Sequence, residues 1–251
     1  MAETILVTGA SAGFGQAICR RLVADRHRVI GAARRIEKLQ ALHEELGEAF
    51  YPLQMDVTDL TQVDQALSSL PADWEQIDVL VNNAGLALGL APAQKSETAD
   101  WLTMIQTNII GLTYLTRQIL PQMVERNDGY VINMGSTAGT VPYPGANVYG
   151  ASKAFVKQFS LNLRADLAGK QIRVTNIEPG LCEGTEFSSV RFKGDEKRVE
   201  ALYRDAHAIQ PEDIANTVSW LIQQPKHVNV NRIEIMPVSQ TFGPQPVYRG
   251  D

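Results

Sequence analysis

Apolar runs of strand length alternate with helix-periodic segments along this chain, the signature of a parallel sheet covered by helices on both faces. Thr4 to Thr8 reads as a buried first strand, after which Phe14, Ile18 and Leu22 recur every four residues on one helix face. Arg28 to Ala32 is a second strand, followed by a helix carrying Ile36, Leu39, Leu42 and Leu46. Further strands are expected at Tyr51 to Met55, Val79 to Val81, Tyr130 to Met134, Ile172 to Ile177 and Arg232 to Met236. Long helices are expected over Asp100 to Arg126 and Tyr149 to Ala168. No linker or repeat interrupts the pattern, so 1–251 reads as one domain, of a length that buries a substantial core.

Two stretches break the alternation. Leu181 to Arg204 is polar and glycine-containing and reads as a mobile loop or lid; Gln240 to Asp251, with Pro244 and Pro246, reads as an extended tail. A net charge of -5 argues against a nucleic-acid partner, and no apolar run reaches the roughly 20 residues of a membrane span. Two distant cysteines suggest neither a disulfide framework nor a zinc site. The N-terminus lacks the basic and long apolar segments of a secretion signal, so the expected address is the cytoplasm.

The segment Thr8-Gly9-Ala10-Ser11-Ala12-Gly13-Phe14-Gly15 joins the first strand to the first helix. Glycines there allow a tight turn that brings backbone N–H groups to a pyrophosphate at the positive helix end; a plain strand-to-helix turn is the bland reading. Asn82-Asn83-Ala84-Gly85 follows the fourth strand, Asn108 lies in the next helix, and Ser136 follows the fifth strand. Tyr149-Gly150-Ala151-Ser152-Lys153 comes after that, and Pro179-Gly180 ends the sixth strand.

In this order, and with the TGxxxGxG spacing of its first loop, the chain resembles the short-chain dehydrogenases/reductases over essentially its whole length. The resemblance implies a Rossmann-type doubly wound α/β fold, a nicotinamide cofactor and a homotetramer. It places Gly9, Ser11, Gly13, Phe14 and Gly15 around the cofactor phosphates. Asp56 and Val57 fall beside the adenine, although Asp56 also reads as a helix cap before Leu60. Asn82, Ala84, Gly85, Pro179 and Gly180 lie along the cofactor, and Thr185 matches a threonine that contacts the carboxamide.

The end of the second strand bears on cofactor choice. An acidic residue there accepts the ribose hydroxyls of NAD and repels a 2′-phosphate. This chain has Ala32-Ala33-Arg34-Arg35, and Arg34 and Arg35 are suited to hold that phosphate, which favours NADP(H); a solvated basic pair is the alternative.

At the chemical end, hydride transfer to a carbonyl makes an alkoxide that needs a proton. Tyr149 and Lys153 stand four residues apart on one helix face, so the ammonium is expected to lower the phenol's pKa. The resemblance gives Lys153 a second role on the nicotinamide ribose. Ser136 is expected to hold the substrate oxygen, and the resemblance has Asn108 kink its helix and anchor a water leading to Lys153.

Within the family, Asn83 to Gly89, Gly135 to Ala138, Glu178 to Leu181 and Gly184 to Asp195 look most like 3-hydroxy acid dehydrogenases and malonic semialdehyde reductases. That implies a small anionic hydroxy acid or aldehyde, its head held by Arg191 and Lys193, with Tyr248 or Arg249 assisting. Arg191 and Lys193 read equally as solvated loop charges. A sulfoacetaldehyde reductase forming isethionate, a steroid or polyol reductase, and a redox-inactive NADP-binding sensor are the competing readings. The retained Asn108, Ser136, Tyr149 and Lys153 weigh against the sensor.

Overall fold

A computed structural model describes residues 2–243. Its strands are β1 (Thr4–Thr8), β2 (Arg28–Ala33), β3 (Phe50–Gln54), β4 (Val79–Asn82), β5 (Gly129–Met134), β6 (Ile172–Pro179) and β7 (Arg232–Ile235). They pair in parallel in the order β3-β2-β1-β4-β5-β6-β7, the doubly wound sheet that the alternation predicted. Every residue of β1, β4, β5 and β6 is buried, so these strands meet packed helices on both faces and read as runs.

Two apolar layers flank the sheet. On one face pack α1 (Gly13–Ala24), α2 (Ile36–Leu46) and α9 (Pro211–Gln223), through Ile18, Leu22, Leu39, Leu42, Ile214 and Val218. On the other lie α3 (Leu60–Ser68), α5 (Leu112–Arg126) and α6 (Asn147–Asp166), which contribute Val63, Leu115, Ile119 and Leu163. Each such side chain contributes about 1.5–3 kcal/mol by leaving water. Strand order reverses between β1 and β4, and at such a switch point the connections diverge to opposite faces and leave a crevice beyond the carboxyl ends.

The expected helix over Asp100 to Arg126 is in three parts: α4 (Thr98–Ile105), a π-helical turn (Gln106–Gly111) and α5. Asn108 sits in the widened turn, so the irregularity at this residue is a π-bulge. The stretch read as a loop holds two short helices, α7 (Phe187–Arg191) and α8 (Glu196–Tyr203). Helix α8 buries none of its residues and is capped by Asp195, which accepts from Arg198 N at 3.2 Å, so apolar periodicity had nothing to mark it. Of the tail, 240–243 are described; Gln240 Oε1 accepts from Leu181 N at 2.7 Å, which pins the start of the tail to the base of the lid. Among the described residues no helix is long and apolar enough to cross a membrane.

Candidate active site

The carboxyl ends of β1 to β6 open into a cavity of about 570 Å³, closed on one side by the lid that carries α7 and α8. Tyr149 and Lys153, on the first turns of α6, face it beside Ser136, which follows β5. Burial pushes the Tyr149 phenol well above its usual range; a hydrogen bond with Ser136 and the nearby charge of Arg191 offset this only in part. Tyr149 is 8% exposed, and Lys153, 6% exposed, donates through Nζ to Met134 O at 2.8 Å. Burial lowers Lys153 to about 8. The expected depression of the phenol by Lys153 is therefore not a property of the chain alone. Two cations flank the ring, Arg191 Cζ at 5.6 Å and Lys153 Nζ at 5.9 Å from its centroid.

Asn108 is 1% exposed and fully engaged. Its Oδ1 accepts from Leu86 N at 2.9 Å; its Nδ2 donates to Leu86 O at 2.9 Å and Ser152 Oγ at 3.0 Å. Its carboxamide thus holds backbone, a positioning role. A Cβ on Gly85 would lie 3.3 Å from both Asn108 Oδ1 and Lys153 Nζ, so the bare glycine lets this wall approach the chemical groups.

At the other end, α1 begins without a side-chain cap at Ala12 and without an acidic residue in its first turn. Its leading N–H groups are left to an anion. Gly9, Ser11, Gly13 and Phe14 line the cavity. Gly15 does not; a Cβ there would come within 2.2 Å of Gly9 O, so it serves the turn itself. Arg34, Arg35, Asp56, Val57, Ala84, Gly85, Pro179, Gly180 and Thr185 line the same cavity. Asp56 accepts from Thr58 N at 2.9 Å and Thr58 Oγ1 at 2.7 Å, whereas Asp59 caps α3 through Gln62 N. The helix-cap reading of Asp56 is thereby corrected. An uncapped helix start, an adjoining basic pair and no carboxylate at the end of β2 suit a phosphorylated dinucleotide.

Asn82 is not part of this wall. Its side chain donates to Thr116 Oγ1 and Asn133 Oδ1, a buried network beneath the sheet end. The next residue, Asn83, lines the cavity and donates through Nδ2 to Thr8 O at 2.8 Å, clamping the glycine loop. Lys193 also falls outside, because it pairs with Asp100 at 2.9 Å. Arg191 falls inside: Nε donates to Gly89 O at 3.2 Å and Nη2 to the Tyr143 hydroxyl at 3.0 Å. Sequence reading missed Tyr143, which stands between Pro142 and Pro144 just upstream of α6, a placement that carries no periodic signal. Tyr248 and Arg249 lie outside the described residues.

A doubly wound sheet with a phosphate-ready helix start, and a buried Tyr–Lys pair beside a half-buried serine in one cleft, defines an oxidoreductase of the hydride-transfer kind. The short chain dehydrogenase profile matches residues 3–196, and the chain belongs to that family. It is 56% identical over 245 residues to the NADP-dependent 3-hydroxy acid dehydrogenase YdfG of Escherichia coli (strain K12), covering 98% of this chain and 99% of that one. A serine 3-dehydrogenase of Agrobacterium fabrum is 51% identical over 249 residues, 99% of each chain. The closed form of a serine dehydrogenase complexed with NADP+ matches with a TM-score of 0.97 at 55% identity, covering 98% of this chain and all of that one.

Proposed function

We propose that this enzyme interconverts a small 3-hydroxy acid and its aldehyde or ketone, with NADP(H) supplying or accepting the hydride. The observation that carries the substrate class is the Arg191 guanidinium held 5.6 Å from the Tyr149 ring inside one cavity. A 3-hydroxy acid sets its hydroxyl oxygen about 3–4 Å from its carboxylate carbon, from ordinary bond lengths. Such a molecule can offer its hydroxyl to Tyr149 and its carboxylate to Arg191 within the one cavity that both residues line.

In this reading Ser136 and Tyr149 hold the reacting oxygen, and Tyr149, whose raised pKa keeps it protonated, donates the proton as the alcohol forms. Arg191 takes the carboxylate, with the Tyr143 hydroxyl as a second donor. Asn108 fixes the Leu86 backbone and with it the wall that faces Lys153. Glycines of the first loop receive the pyrophosphate, and Arg34 receives the 2′-phosphate. A carboxylate is preferred over a sulfonate because the similar proteins bear the names of hydroxy acid and serine dehydrogenases.

Initial rates with NADP+ and L-serine, allo-threonine, 3-hydroxypropionate or isethionate test the proposal. The hydroxy acids are expected to give the higher kcat/KM; a preference for isethionate, or for bulky neutral substrates, overturns the substrate class. The proposal extends to a cytoplasmic homotetramer. Exposed Phe155 on α6, stacked on Phe159 with centroids 5.9 Å apart, and exposed Trp220 on α9 are apolar faces suited to subunit contacts. Light scattering at four times the chain mass is the matching result.

A further inference from the structure

Arg34 and Arg35 are adjacent in sequence and were read together as a phosphate clamp, yet the structure treats them differently. The Arg34 side chain is 73% exposed, and the carboxylate beside it, Asp56 Oδ2, stands 3.9 Å away, at the limit of an ion pair. Its donors remain open toward the cavity rim.

Arg35 is committed. Its Nε and Nη2 donate to Ser11 Oγ at 3.2 and 2.9 Å. Its Nη1 and Nη2 also grip both oxygens of Glu186, at 3.1 and 2.8 Å, in the bidentate geometry that guanidinium and carboxylate favour. Lys38, one turn into α2, adds a third bond, Nζ to Glu186 Oε1 at 2.8 Å. Two cations thus converge on one carboxylate and hold its pKa down to about 2.

The location gives this cluster its meaning. Glu186 precedes α7 in the lid, immediately after Thr185, and Thr185 already touches the glycine loop: a Cβ on Gly13 would lie 2.9 Å from Thr185 Cβ. Gly9, Ser11, Gly13 and Arg35, from the sheet side, and Thr185 and Glu186, from the lid, all line the cavity. The Arg35–Glu186–Lys38 bridge joins those two sides across 148 to 151 residues of chain. The bridge therefore ties the lid to the glycine-loop side of the cavity, beside the place where a dinucleotide's phosphates would lie.

We infer that Glu186 is a cofactor-retention residue, a latch closed by Arg35 and Lys38 over the dinucleotide, and that selection for the 2′-phosphate belongs to Arg34 alone. The inference rests on the dinucleotide reading of the cleft. It divides two functions between neighbouring arginines: Arg34 sets which dinucleotide binds, and the latch sets how long it stays. Because the paired groups are more than a third exposed, the latch is a modest barrier sensitive to salt.

The test is stopped-flow release of NADPH, followed by nicotinamide fluorescence, with equilibrium titration of NADPH and NADH. It uses the wild type, Glu186→Gln, Arg34→Ala and the double variant, with thermal unfolding to verify folding. Glu186→Gln is expected to speed NADPH release by roughly threefold to tenfold, and to leave the ratio of NADPH to NADH affinity within about twofold of wild type. Arg34→Ala is expected to collapse that ratio, and the double variant to show both effects added on a logarithmic scale. Raising salt is expected to bring wild-type release toward that of Glu186→Gln. Unchanged release in Glu186→Gln removes the latch while leaving the cofactor reading intact. A changed NADPH-to-NADH ratio in that variant assigns Glu186 to the phosphate and also overturns the inference. A wild-type chain that binds neither dinucleotide removes the cofactor reading and the latch together.

Discussion

The Asn108 carboxamide clasps the Leu86 backbone from both sides, accepting from its N–H and donating to its C=O, each at 2.9 Å. The clasp spans two structural units, the π-helical turn between α4 and α5 and the segment that leaves β4. A π-bulge in a helix otherwise regular at both ends is a local cost, and here it sets a buried amide against a loop bordering the cleft.

Replacing Asn108 by Ala leaves two backbone groups of Leu86 without their partner. The expected loss of stability is about 2–4 kcal/mol, read from urea unfolding midpoints. Activity is expected to fall further than stability explains, through kcat more than KM, because the Gly85 wall beside Lys153 loses its register. An unaltered unfolding midpoint would show the clasp to be idle.

Arg191 makes the second prediction. Among the described residues its Nε and Nη2 are engaged by Gly89 O and the Tyr143 hydroxyl, which leaves Nη1 for a substrate anion. Arg191→Ala is expected to raise KM for a hydroxy acid by about 10- to 100-fold, the value of a charge-assisted hydrogen bond, and to leave a neutral alcohol of similar size nearly unaffected. Tyr143→Phe is expected to move KM in the same direction by less. Equal effects on charged and neutral substrates would take Arg191 out of the anion site.

Much of this arrangement was legible in the residues, and what was not has physical reasons. The buried strands β1, β4, β5 and β6 print themselves as apolar runs, and the alternation with helical segments marked the other three as well. Side-chain direction is harder to read, as Asn82 and Asn83 illustrate. They are identical and adjacent, yet the last residue of β4 turns its amide into a network with Thr116 and Asn133 while its neighbour faces the cleft. The lid resisted for another reason. Its helices are short and polar, and its charges distribute by three-dimensional pairing, Arg191 inward and Lys193 outward to Asp100.

Cofactor choice gives a third prediction. Arg34 lies just past the end of β2, a strand end that carries no acidic residue of its own, and with its nearest ion partner, Asp56, 3.9 Å away it offers an open fork to a phosphate. Arg34→Ala is expected to weaken NADP+ binding by about tenfold or more, the equivalent of one charge-assisted contact, with NAD+ binding unchanged. Isothermal titration with both dinucleotides measures it. Parallel weakening of the two would move the phosphate contact to another residue.

The buried Lys153 yields the last prediction, in the pH dependence of stability. Burial lowers its pKa from 10.5 to about 8 in the folded chain. Between those values the unfolded chain binds the proton that the folded chain has lost, so this residue's contribution to stability rises with pH across that window. Below about pH 8 both states carry the charge, and the folded state bears the whole cost of burying it. The corresponding free energy is about 3 kcal/mol as an order of magnitude. Lys153→Met removes the titration. The difference in unfolding free energy between the variant and wild type is therefore expected to favour the variant most at pH 7, and to shift toward wild type by about that amount as pH climbs to 10.5. Denaturant unfolding of both proteins in matched buffers isolates the shift from the titration of every other group. A difference that stays flat across this range would mean that Lys153 remains charged in the folded protein, its ammonium sustained by Met134 O and by solvent reaching the cleft.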